Sequence, residues 1–288
     1  MTSDRPRILY VSDLAYDARG RRYCDEDIYL TSRLRAAFGL AICHPLDARA
    51  LMPDFDLVVV RNSGPVLGYQ AEYQAFRAAA GETGARVFTE LTGKGDAAGK
   101  QYLIDLFAQG YPVIPTVDRP GEIDRLPASE KYVVKPKYGA DSVGLTVVDR
   151  AGLPRLDHPD LLVQPHVDFT YEVSFYYLDH DFQYALYAPR PDRRWELEPY
   201  EPDEADLAFA QRFIDWNDID HGIQRVDACR TRDGALLLVE LEDLNPYLSL
   251  DRIDADTRDR FVAAMTTSLT RLSDKPRGSR SGKPIRPA

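Results

Sequence analysis

Apolar residues follow two different rhythms along this chain. Over the first ninety or so positions, short β-branched runs alternate with helical spacing. Residues 7–12 (RILYVS) and 56–61 (DLVVVR) are continuous apolar runs, as expected for strands buried on both faces of a parallel sheet. Between them, residues 26–38 carry Ile28, Leu30, Leu34 and Phe38 at helical spacing. The turn signal Asn62-Ser63-Gly64-Pro65 closes the second run; residues 69–80 read as another helix and 85–90 as another strand. This βαβ rhythm predicts a small doubly wound N-terminal lobe. Gly93, Gly95 and Gly99 then mark a junction. A helix over 100–109 follows, with Leu103, Leu106 and Phe107 on one face and Gly110 as its stop. Beyond residue 130 the pattern turns to β runs at 132–135, 161–164, 171–178, 182–187, 223–230 and 235–241, with one helix at 204–216. The expected fold class is therefore an α/β lobe joined to α+β regions.

Composition narrows the function classes. The chain has 288 residues, 44% of them hydrophobic, enough for a large core in about two domains. Lys+Arg number 36 against 46 Asp+Glu, a net charge of −10, which argues against general nucleic-acid binding. Residues 274–288 (DKPRGSRSGKPIRPA) reverse the sign and hold one large apolar residue, Ile285, so a disordered tail is expected. No apolar run approaches ~18 residues, so no membrane span is expected. The opening MTSDRPRILYVSD reads as the first core strand, not as a signal peptide. Three scattered cysteines without a CxxC pair fit a reducing, cytoplasmic setting. No internal repeat is visible.

The densest chemistry lies in one hairpin. Residues 223–230 and 235–242 flank Asp233-Gly234, which favours a two-residue type I′ turn. That register sets Asp227 opposite Glu240 and Arg225 opposite Glu242, all four on one face. Val226, Ala228, Leu237, Val239 and Leu241 form the other, core face. Two carboxylates ~4 Å apart repel by about 4 kcal/mol at an effective dielectric of ~20. That is a large fraction of a typical folding free energy. A shared proton, Arg225 or a divalent cation must offset it. Asp227, Glu240 and Glu242 offer the hard oxygen ligands that Mg²⁺ takes alongside nucleotide phosphates. The alternative is a surface charge patch balanced by Arg225.

Two lysines stand where anions would be met. Lys135 ends an apolar strand on the same face as Val133, and Gly139, Ser142 and Gly144 follow in a loop whose backbone could approach phosphate. Lys100 opens the helix over 100–109. The stretch GKGDAAGK (93–100) is not a P-loop: Lys94 stands where its first glycine belongs and Gln101 where Ser or Thr belongs. Gln164-Pro165-His166-Val167 ends another apolar strand in a polar break that could present backbone groups and an amide side chain to a purine edge.

The order of these signals resembles the ATP-grasp superfamily over roughly residues 7–272. Lys100 with Leu103, then Gly110-Tyr111-Pro112-Val113-Ile114-Pro115-Thr116, is similar to the family's first phosphate lysine and the segment after it. Val133-Val134-Lys135-Pro136 with Gly139 and Gly144 looks like the second ATP lysine and the phosphate-covering loop. Residues 164–167 look like the adenine hinge, and Glu172 stands where a family acid binds ribose. Arg225-Val226-Asp227 resembles the R-x-D motif. Glu240-Leu241-Glu242 resembles E-x-N, with Glu242 in place of the asparagine. Asp13, Leu14, Asp17, Asp25 and Asp27, with the E-L-E-x-x-x-P-x-L run over 240–248, resemble stand-alone members of the D-cycloserine synthetase and glutathione synthetase-like sort.

The resemblance implies an ATP-grasp fold: an α/β substrate lobe over 1–92, ATP-grasp subdomains over 93–165 and 166–273, and the tail over 274–288. It implies ATP held by Lys100 and Lys135, and one or two Mg²⁺ held by Asp227, Glu240 and Glu242. A substrate carboxylate becomes an acylphosphate, which an amine then displaces. Arg225 stabilises the charge that develops. Substrate contacts are expected from Asp13, Tyr16, Arg61, Asn62, Ser63, Arg190 and Asn245. The partners implied are a small carboxylate and a small amine, with a homodimer as one assembly. A small-molecule kinase and a non-catalytic nucleotide-binding module are the rival readings.

Overall fold

The structure, a computed structural model, describes residues 5–18, 21–61, 69–138, 144–153, 160–190, 193 and 196–275. Asn62, Ser63, Gly139, Ser142 and the tail from residue 276 lie outside the described residues.

The chain begins with β1 (Arg7–Ser12), β2 (Asp17–Ala18), β3 (Arg21–Arg22), α1 (Cys24–Leu34), β4 (Gly39–Cys43), α2 (Ala48–Leu51), β5 (Leu57–Arg61), α3 (Gln70–Thr83) and β6 (Val87–Phe88). β4, β1, β5 and β6 form a parallel sheet in that order. Every residue of β5 is buried, because helices cover both faces. Leu57 and Val59 join a core with Leu30 and Leu34 of α1; Val58 and Val60 join one with Tyr73, Phe76 and Ala80 of α3. The lobe is doubly wound, as the alternation predicted. Gly84, at φ +65°, ends α3 in the left-handed conformation.

The remainder contains α4 (Tyr102–Ala108), β7 (Lys131–Pro136), β8 (Thr146–Asp149), β9 (Leu161–Pro165), β10 (Phe169–Leu178), β11 (Asp181–Ala188), β12 (Glu198–Tyr200), α5 (Glu204–Asn217), β13 (Ile223–Thr231), β14 (Leu236–Glu242) and α6 (Ala255–Asp274). β8, β7 and β9 form a small antiparallel sheet; β12, β11, β10, β13 and β14 form a larger one. One face of the larger sheet packs on α4 and α5 through Leu103, Leu106, Phe213 and Ile214. Tyr176, Leu178, Tyr184 and Ile223 on its other face share a core with α1, α6 and the parallel sheet.

Seven elements carry no expectation from the sequence: the short β2, β3, α2, β8 and β12, and also β4 and α6. β4 is a five-residue edge strand. α6 is a 20-residue helix whose Phe261, Met265, Leu269 and Leu272 fall three and four residues apart among threonines and serines. Its start is fixed by Asp254, whose carboxylate accepts the Thr257 amide. The strand expected over 85–90 shortens to Val87–Phe88. Among the described residues, no helix is long and apolar enough to cross a membrane. All three cysteines are buried and unbridged.

Candidate active site

The hairpin register at the acids is the one read from the sequence: Arg225 pairs with Glu242 and Asp227 with Glu240. The route to it differs. The turn is a three-residue loop, in which Thr231 N–H donates to Ala235 O at 2.9 Å and Gly234 sits at φ +88°. Ala228 therefore pairs with Leu238, one step out of the expected register, and a bulge between Asp227 and Ala228 restores it. The core face of β14 is correspondingly Leu236, Leu238 and Leu241, not the expected Leu237 and Val239.

Ligand atoms of Asp227, Glu240 and Glu242 lie within 4.8 Å of one another. Arg225 grips Asp227 with both Nε and Nη2 at 2.9 Å and reaches Glu242 Oε1 at 2.5 Å. Ser174 Oγ donates to Asp227 at 2.6 Å. Glu172 shares that face of β10, two residues away. Lys100 Nζ meets Glu240 Oε1 at 2.5 Å. Lys135, buried on β7, feels both Glu240 and Lys100. The fold thus brings three acids, two lysines and an arginine to one place from β7, β13, β14 and the approach to α4.

Their electrostatics are uneven. Burial pushes Lys135 down to about 8, with Glu240 opposing and Lys100 assisting. Burial also pulls on Lys100, but Glu240 outweighs it and holds the ammonium above its ordinary value. Burial raises Glu240, but Lys100 and Lys135 outweigh it and keep that carboxyl below its ordinary value. Glu242 is pushed well up by burial; Arg225 opposes, and Asp227 and Glu240 reinforce the rise. A hard cation among these oxygens would relieve the crowding that raises Glu242, so the donor set fits Mg²⁺.

The glycine junction proves to be a brace. Asp243, next to Glu242, accepts the amides of Gly95 and Ala97 at 2.9 Å each. Asp96 accepts those of Asp243 and Leu244 at 2.6 and 2.9 Å. A Cβ on Gly95 would stand 2.8 Å from Leu241 O and 2.9 Å from Asp243 Cγ. The glycines let the loop that delivers Lys100 lie directly on the end of β14. Sequence reasoning missed Asp96, Asp243 and Ser174. The β10–β13 register would have exposed Ser174, and adjacency to Glu242 is the one signal for Asp243.

The hinge differs from expectation in one respect. Gln164 turns inward, and its Nε2 donates to Thr116 Oγ1 at 2.8 Å, so its amide side chain is not offered to a purine. His166 N–H donates to Lys131 O. A cavity of about 450 Å³ lies against Pro165, His166 and Val167, walled also by Phe107, Pro115 and Leu237. Gly144 adopts φ +77°, and a Cβ there would meet Pro136 at 2.9 Å.

Of the expected substrate residues, Arg61 is corrected. It is buried at 2% exposure, bonded to Asp27 at 3.2 Å and donating to Pro246 O at 2.7 Å. The burial leaves it inside the fold rather than on a substrate wall. Arg190 pairs with the exposed Glu196. Asp13 accepts the Ala15 amide and lies 3.8 Å from His44. Tyr16 meets Tyr23 edge-on at 5.4 Å, and Tyr23 meets Tyr247 at 4.7 Å. Asn245 Oδ1 is buried without a hydrogen-bond partner among the described residues.

A parallel lobe, a small antiparallel sheet and a larger sheet bearing the acidic face together make the ATP-grasp fold. No protein-family model matches the sequence, and no curated protein matches it. Solved structures do match. A D-cycloserine synthetase, DcsG, aligns over 92% of this chain and 99% of its own at 23% identity, with a TM-score of 0.73. The D-alanine–D-alanine ligase of Bacillus anthracis, complexed with ATP, aligns over 94% and 99% at 13% identity and 0.67. The ATP-grasp ligase PsnB, complexed with a phosphomimetic precursor variant, Mg and ADP, aligns over 90% and 98% at 15% identity and 0.62. At such identities the likeness is one of fold.

Proposed function

We propose that this chain is an ATP-dependent carboxylate–amine ligase that forms an amide bond through an acylphosphate and releases ADP and phosphate. The observation that carries the reading is the convergence of Asp227, Glu240 and Glu242 with Arg225, Lys100 and Lys135 on one face of an ATP-grasp fold. Three similar folds bear the names of enzymes called ligase or synthetase, which supports the class.

In this reading residues 93–165 and 166–273 clamp ATP, and residues 1–92 form the substrate wall. Lys100 and Lys135 hold the phosphates, and the loop through Gly139, Ser142 and Gly144 covers them. Backbone at Pro165, His166 and Val167 meets adenine, and Glu172 meets ribose. Asp227, Glu240 and Glu242 would hold one or two Mg²⁺, which neutralise phosphate charge when bound. A substrate carboxylate oxygen bonds to the γ-phosphorus as the β,γ-bridge breaks and ADP leaves. The amine nitrogen then bonds to the acyl carbon as the bond to phosphate breaks, and its proton passes to solvent. Arg225 donates to the oxygens on which charge develops. Asp13, Tyr16 and Asn245 contact the substrates.

Hydroxylamine supplied with Mg-ATP and candidate amino acids tests the reading. A hydroxamate should accumulate in step with ADP. A stable phosphorylated product with no amine requirement would make the chain a kinase instead, and no ADP release with any carboxylate would exclude both.

A further inference from the structure

The segment after β14 is held from two sides. On the site side, Arg225 Nη1 donates to Tyr247 O at 2.9 Å while its other nitrogens hold Asp227 and Glu242. On the side of the N-terminal lobe, Arg61 Nη1 donates to Pro246 O at 2.7 Å. The Glu26 carboxylate, on α1, accepts the amides of Leu248 and Leu250 at 2.8 and 3.1 Å. Glu26 and Arg61 are 6% and 2% exposed and lie 3.5 Å apart.

Burying a carboxylate and a guanidinium is expensive, and well-packed apolar residues often stabilise a fold as well or better. Here both side chains hold one short stretch of backbone, the stretch whose Tyr247 carbonyl holds Arg225, while Arg61 also pairs with Asp27. Neither has a role in the chemistry above. The ring contact between Tyr23, just before α1, and Tyr247 adds a third tie across the same gap.

We propose that Glu26 and Arg61 are positioning residues: they fix the Pro246–Leu250 backbone from the N-terminal lobe and thereby aim the Arg225 guanidinium at Asp227 and Glu242. The structural part stands on geometry alone; its effect on turnover rests on the ligase reading.

The test follows the Nε–H resonance of Arg225 in ¹⁵N-labelled protein, identified by its loss in Arg225→Lys. Glu26→Gln has one acceptor oxygen for two amides, and Arg61→Lys has a single nitrogen where Nε and Nη1 separately reach Asp27 and Pro246 O. Each should shift or broaden that resonance while most backbone resonances stay in place. Each should also lower kcat for ADP release by about ten- to a hundredfold with little change in KM for ATP. In the unsubstituted chain, the Leu248 and Leu250 amides should exchange as slowly as those of β14. An unmoved Arg225 resonance in the folded variants overturns the proposal, and so does rapid exchange at Leu248 and Leu250, which needs no variant. A moved resonance in a chain that never turns over ATP supports the positioning role and removes the ligase reading instead.

Discussion

Lys100 Nζ lies 2.5 Å from Glu240 Oε1, and this largely buried pair joins the approach to α4 to strand β14. In the proposed reading the pair sets a phosphate-binding cation against a metal-binding carboxylate. Each holds the other in its charged form. In Lys100→Ala, Glu240 keeps Lys135 and Arg225 as cationic neighbours. Breaking a buried pair by removing one partner costs about 3 kcal/mol, with Lys135 limiting the loss. Lys100→Ala should therefore lower the melting temperature and weaken Mg-ATP binding by at least about tenfold. Calorimetric titration with Mg-ATP checks the second, and unchanged affinity would exclude Lys100 from the phosphate site.

Lys135 gives a pH signature. Burial sets its ammonium at about 8, below the ordinary lysine value. The folded chain therefore binds this proton more weakly than the unfolded chain does. At pH 7 Lys135 is mostly charged, whereas at pH 9 it is mostly neutral. Triphosphate favours the charged form, so ATP binding at pH 9 should take up close to one proton at this site and at pH 7 almost none. Titrations in two buffers of different ionisation enthalpy measure the difference, and Lys135→Met should abolish it.

The acidic face was legible because strand alternation and a tight turn constrain which side chains meet. Arg225, Asp227, Glu240 and Glu242 needed only a register. Yet the expected turn and the actual register part company near Ala228, and the bulge at β14 brings them back into agreement at the acids. A bulge of one residue leaves no mark in an apolar run, so Leu236 and Leu238 could not be told from Leu237 and Val239. Arg61 was misplaced for a related reason. The end of a parallel strand is where ligands are expected, and the sequence does not say that Glu26 and Asp27 come within reach. α6 escaped notice because its threonines and serines dilute a spacing that is regular in Phe261, Met265, Leu269 and Leu272.

Glu242 makes metal binding measurable by protons. Burial, with Asp227 and Glu240 beside it, pushes its carboxyl well above the ordinary value despite Arg225. A carboxyl raised in this way holds its proton to higher pH than an ordinary glutamate does, and a cation would expel it. Mg²⁺ added with ADP should release protons, more of them as the pH falls, and Glu242→Gln should remove the part that comes from this carboxyl while Asp227→Asn abolishes ATP turnover. Proton release of the same size from the Gln variant would mean that Glu242 is not a ligand.

Gly95 tests the brace rather than the chemistry. Its amide donates to Asp243 at 2.9 Å, and Leu241 O and Asp243 Cγ already stand where a methyl group would go. Leu241 O is backbone of β14 and cannot retreat without moving Glu240 and Glu242, and the Asp243 side chain can turn aside only by releasing the Gly95 and Ala97 amides. An alanine therefore overpacks the joint, at a cost of about 1–3 kcal/mol, or lifts the loop from the strand and carries Lys100 away from Glu240. The two outcomes separate by measurement. Overpacking alone lowers the melting temperature and leaves Mg-ATP affinity near its original value. Lifting the loop lowers both, and the brace predicts the second pattern for Gly95→Ala. Exposed Gly110, unlike Gly95, is in the left-handed conformation, and a Cβ there would meet no atom within 4 Å. Gly110→Ala should therefore lose stability through backbone strain while nucleotide affinity is retained. Equal affinities in the two variants would show that the loop need not lie on Asp243 to deliver Lys100.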